Sequence, residues 1–94
     1  MWGKYYINTK LMKTDLFEIL KDAPVGISLY SPLFGKVEFQ SAQNIMQKSV
    51  YVRTSGGAIE EFDSAGHLII YKFRSEEPML FPSKEQRNWS EFKI

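Results

Sequence analysis

The chain has no cysteine and a single histidine, His67. Without a thiol there is no disulfide, no thiolate metal ligand and no cysteine nucleophile, and one imidazole cannot supply a histidine pair for a metal. Long apolar runs are missing as well, none approaching the roughly 20 residues with which a helix crosses a bilayer. The opening MWGKYYINTKLMK carries lysines but neither a continuous apolar stretch nor a small-residue cleavage site, so it does not read as a secretory signal. A soluble protein in the cytoplasm is expected. Clustered basic charge is absent too: Lys4, Lys10 and Lys13 give the first thirteen residues +3, and nine basic against eleven acidic residues leave the remainder at −2. A body that grips duplex DNA would need Lys and Arg gathered over phosphates, so none is expected.

What is present suits one small globular domain, with 44% hydrophobic and 15% aromatic residues in a chain too short for two cores. TDLFEILKDAP predicts a short helix capped by Thr14 or Asp15, with Glu18 at capping-box spacing and Pro24 limiting its extension. Leu16, Phe17, Ile19 and Leu20 form its apolar side. GISLYSPLFGKVEFQ then alternates as two strands around a turn from Pro32 to Gly35, while SAQNIMQKS reads as a polar loop. VYVRTSGGAIEEF reads as a hairpin turning at Gly56 and Gly57, with Val50 and Val52 inward and Tyr51 and Arg53 outward. The opposite parity of Ile59 and Phe62 suggests a bulge near Glu60 and Glu61. DSAG, from Asp63 to Gly66, is a further turn, with Asp63 bonding forward. HLIIYKF reads as one strand covered on both faces, SEEP as a separator and MLFPS as a last short strand. Ser83 and Gln86 stand at capping-box spacing, so SKEQRNWSEFK predicts a C-terminal helix whose Trp89 and Phe92 close the core.

No constellation of residues names a reaction. His67 follows a turn without a nucleophile beside it, Glu60, Glu61 and Asp63 read as a solvated rim, and Glu76 and Glu77 lack the separated, differently buried geometry of a catalytic pair. SGGA has no phosphate-loop ending, and Asn88-Trp89-Ser90 matches a glycosylation pattern inside a predicted helix. No catalytic residue, cofactor or metal is expected. The candidate contact surface consists of outward Tyr30, Tyr51 and Arg53 with Lys36, and of Arg87 beside Trp89. Stacking rings and modest charge there suit a peptide or single-stranded nucleic acid, whereas the blander role is cross-strand packing.

LFEILKDAP, LYSPLFG (Leu29 to Gly35) and LFPSKEQRNW (Leu80 to Trp89) together resemble a family of short proteins of unassigned function found in gut Bacteroides-type genomes and their phages. The resemblance runs from about Met12 to Phe92. It implies a phage or mobile-element setting, a start at Met12 and an extension over Met1 to Leu11, but it transfers no functional residue. Phe34, Gly35 and Val37 are also similar to the opening of SH3-like barrels on transcription and helicase proteins, whose second glycine this chain lacks.

The sequence therefore predicts a mainly β (α+β) domain over residues 12–94. It is an SH3-like barrel or strongly bent antiparallel sheet of about five strands with a helix at each end. The expected function is non-catalytic binding of another protein by a monomer or weak homodimer, with no membrane association. A nucleic-acid-binding accessory factor is the alternative.

Overall fold

The computed structural model describes residues 14–93. The expected extension over Met1 to Leu11 and its boundary at Met12 lie outside the described residues. Helix α1 (Leu16–Leu20) begins where the sequence places a cap: Asp15 is extended, and its carboxylate accepts from the Glu18 N–H at 3.3 Å. One turn is anchored at its start by the Leu16 N–H, which donates to the Ser64 carbonyl at 2.7 Å. Leu16 and Leu20, four apart, are buried together.

Six strands follow, β1 (Ser28–Ser31), β2 (Gly35–Asn44), β3 (Lys48–Thr54), β4 (Ile59–Asp63), β5 (His67–Ile70) and β6 (Phe73–Pro78). Each pairs antiparallel with the next, giving the sheet order β1-β2-β3-β4-β5-β6, and the sheet curls into a half-barrel. Its inner face supplies Leu29, Val37, Phe39, Val50, Val52, Phe62 and Leu68, and the core is completed by Leu16, Leu20, Leu80 and Trp89. The alternation of Val50 and Val52 with Tyr51 and Arg53 is present as the sequence predicts.

The mainly β architecture is as expected, with differences in the second half. HLIIYKF is a hairpin rather than one strand. Ile70 pairs with Phe73 around Tyr71 and Lys72, so the supposed separator SEEP belongs to β6. Its apolar residues are not covered on both faces, because only Leu68 reaches the core while Ile70, Tyr71 and Phe73 are exposed. MLFPS is not a strand but contributes a single bridge. Phe81 exchanges backbone hydrogen bonds with Tyr30 at 2.8 and 2.9 Å, which joins the chain after β6 to the outer edge of β1. The polar stretch SAQNIMQKS is mostly sheet, since Ser41 to Asn44 extend β2 and only Ile45 to Gln47 turn.

No bulge occurs near Glu60 and Glu61. The β3–β4 register is unbroken, and Ile59 simply points outward near the end of its strand while Phe62 points inward. The irregularities fall between Phe39 and Ser41 and between His67 and Ile69. At the C-terminus, Ser83 Oγ does accept from the Gln86 N–H at 2.9 Å, yet no α-helix propagates. Gln86 Oε1 takes the Asn88 N–H and Asn88 Oδ1 takes the Ser90 N–H, both at 2.9 Å. These local side-chain acceptors compete with helical bonding, and only a 3-10 turn (Trp89–Glu91) forms. That turn still delivers Trp89 to the core at 8% exposure, with its indole N–H on the Leu80 carbonyl at 3.1 Å and Phe92 packed at 5.2 Å between ring centroids.

Candidate functional site

The outward face of the sheet is where the candidate residues stand. Tyr30 lies across from Lys36 between β1 and β2, and Arg53 lies across from Glu38 between β3 and β2. Lys36 borders two open grooves. One, of about 450 Å³, is also lined by Glu38, Arg53 and Thr54; the other, of about 390 Å³, is lined by Leu29, Tyr30 and Pro82 with Lys84. Arg87 joins this region from the C-terminal segment, its guanidinium carbon 5.3 Å from the Tyr30 ring centroid and 4.7 Å from that of Phe81. Tyr30, Lys36, Arg53 and Arg87 thus belong to one side of the molecule, with Lys84 beside them.

Tyr51 belongs to a different neighbourhood. Its cross-strand partners are Ser41 and Glu61, and it lines a groove of about 580 Å³ with Gln43, Ile45, Met46, Gln47 and Glu61. Ser49 Oγ donates to Glu61 Oε2 at 2.7 Å. Burial, and then the charge and hydrogen bond of Glu61, push the Tyr51 hydroxyl above its ordinary pKa of 10.0, so it stays a neutral donor.

The acidic cluster does not behave as a uniform rim. Glu60 is opposite Val52 on the core-facing side of β4, and Glu61 faces outward. Asp63 is buried, with Oδ1 accepting from the Ala65 and His67 N–H groups at 3.0 and 2.9 Å and Oδ2 bound by Arg74 at 2.9 Å. This is the forward bonding that the turn sequence predicts, completed by a cation from β6. His67 Nδ1 lies 2.7 Å from the Ser75 carbonyl, which ties β5 to β6. Among the described residues no group of three His, Cys, Asp or Glu side chains is placed to hold a metal ion, and no helix is long and apolar enough to cross a membrane.

Sequence reasoning missed the most exposed apolar side chains among the described residues. Ile45 (83% exposed) and Met46 (96%) cap the β2–β3 hairpin, while Tyr71 (95%) and Phe73 (77%) cap the β5–β6 hairpin. A groove of about 430 Å³ runs from Gln47 past Asp63 and Ile69 to Tyr71 and Phe73, so Gln47 lines both this groove and the one that contains Tyr51. The available signal was an Ile-Met pair inside an otherwise polar loop, where burial has no claim on it. Compared with protein-family models, curated proteins and solved structures, the chain gives no significant match.

Proposed function

We propose that the domain is a non-catalytic module that binds another protein through the hairpin tips and the adjoining outward face. The supporting observation is the exposure of Ile45, Met46, Tyr71 and Phe73 around two grooves that share Gln47. Large apolar groups grouped on a surface mark interaction sites, and Met and aromatic residues are enriched where interfaces concentrate their energy. Tyr51 would contribute its ring wall and hydroxyl. A partner from a bacterial host or phage is proposed on the motif resemblance alone.

A nucleic-acid accessory role is the second reading. It is favoured by Lys36, Arg53, Lys84 and Arg87, none of which has a carboxylate within ion-pair distance among the described residues. Opposing it, Arg87 already lies over Tyr30 and Phe81, the rings on that side that would stack a base.

A photo-crosslinking residue placed at Met46 or Tyr71 tests the first reading in cells of the native host. A defined protein adduct at both positions, absent when the probe replaces exposed Val25, is the expected result. Equal labelling from Val25, or adducts to nucleic acid alone, would reject it.

A further inference from the structure

Arg87 is held in an unusual way for a surface arginine. Two rings flank its guanidinium, and its Nε donates to the Lys84 carbonyl at 3.1 Å. The rings are themselves fixed, because Tyr30 and Phe81 exchange two backbone hydrogen bonds in the bridge that joins β1 to the C-terminal segment. Neither terminal guanidinium nitrogen has a hydrogen-bond or ion-pair partner among the described residues, although Glu85 and Glu91 are close in sequence. An arginine normally loses much rotamer freedom on gripping a ligand; here the packing has already oriented the planar fork. Its free edge has the geometry that takes a carboxylate with two parallel hydrogen bonds.

The groove that shares Tyr30 with it defines the rest of the ligand. Leu29, Tyr30 and buried Pro82 supply apolar wall, and Lys36 and Lys84 supply positive charge, in a volume of about 390 Å³. From this arrangement we infer that Arg87 and the groove form a second binding site, one that recognises an acidic residue with an apolar neighbour in a peptide segment. The carboxylate meets the Arg87 fork, the apolar side chain enters the groove, and the lysines complement the remaining charge. A nucleic-acid phosphodiester could also meet the fork, but Arg87 already covers Tyr30 and Phe81, the rings on which its base would stack. This site is distant in composition from the hairpin tips and does not depend on them for its ligand.

Heteronuclear NMR of the full chain, observing the Arg87 Nε and the Tyr30 amide, tests the inference. The probes are a blocked leucyl-aspartyl dipeptide amide, its leucyl-asparaginyl analogue, inorganic phosphate and a single-stranded oligonucleotide. The acidic dipeptide should shift both signals, and replacing its carboxylate by the amide should weaken binding about tenfold, the scale of one charge-assisted hydrogen-bonded pair. Arg87→Gln should abolish the discrimination between the two dipeptides; Arg87→Lys, which keeps the charge and loses the fork, should reduce it. Lys36→Gln keeps Arg87 and both its rings and should weaken the acidic dipeptide alone. Equal binding of the two dipeptides overturns the inference. So does a response to inorganic phosphate as strong as to the acidic dipeptide, or oligonucleotide binding at lower concentration on the same signals, which would assign the site to nucleic acid. Loss of the tip-mediated protein partner would leave these dipeptide results unchanged, so the two readings fail separately.

Discussion

At the residue scale, Trp89 has the largest single role. Its indole is nearly all buried and its N–H satisfies the Leu80 carbonyl, so truncation removes apolar contact and strands a buried acceptor together. Trp89→Ala is expected to cost roughly 3 to 5 kcal/mol, much of the stability of so small a domain, as read by thermal or urea unfolding. A variant that melts within a few degrees of the parent would show that the indole is not part of the core. Asp15 has a subtler role. Burial pushes its carboxyl upward, but the Lys48 ammonium at 2.8 Å and the Glu18 N–H outweigh this and hold it below the ordinary 3.8. A depressed carboxyl stabilises the fold above pH 3.8, and that contribution is lost as pH falls through the folded value. Asp15→Asn preserves the cap while removing the charge, so its stability should fall less steeply than the parent's on acidification below pH 3.8, measured by denaturant midpoints across that range.

At the element scale, the β5–β6 hairpin shows a conflict between folding and exposure. Tyr71 opens its two-residue turn at φ 57, a left-handed conformation that a side chain with Cβ disfavours, and the ring is almost wholly exposed. Nothing in the fold is gained from tyrosine there. Tyr71→Gly is therefore expected to stabilise the domain by about 0.5 to 1 kcal/mol, raising the melting temperature by several degrees, while weakening capture of the partner at the tips. A destabilised glycine variant would mean that the ring contributes to the fold. The neighbouring turn has the opposite balance. Gly66, at φ 92, holds the left-handed conformation that a Cβ disfavours, although a Cβ there would meet Leu16, Pro78 and the Leu80 carbonyl only at ordinary contact distances of 3.5 to 3.6 Å. There, turn geometry and residue type agree, which is why DSAG was legible in the sequence and the Tyr71 turn was not.

At the scale of the whole molecule, residues 14–93 carry nine basic and eleven acidic side chains, so the body repels a polyanion except where Lys36, Arg53, Lys84 and Arg87 gather. Non-specific affinity for duplex DNA should accordingly be weak and vanish by about 200 mM salt, as fluorescence anisotropy with a labelled duplex would report. Binding that persists there would promote the nucleic-acid reading to first place. The sequence alone was sufficient for the β-rich class, a helix cap at Thr14 or Asp15, the inward Val50 and Val52 and the arrival of Trp89 in the core. Each depends on a short-range pattern: alternation, a capping spacing, or a large ring near the end of a small chain. The tertiary structure decided the rest. Whether SEEP was a linker or half of a hairpin depended on what lay opposite it, and β5 had to turn back before its register with β6 existed. Arg87 and Tyr30 are far apart in the chain, and only the bridge between Tyr30 and Phe81 brings the arginine over the rings. Ile45, Met46, Tyr71 and Phe73 are apolar residues like those of the core, and their exposure follows from their place at the turns of two hairpins, where no described residue packs over them. Periodicity specifies which way a side chain points along its own strand, but burial depends on what the rest of the chain places over it.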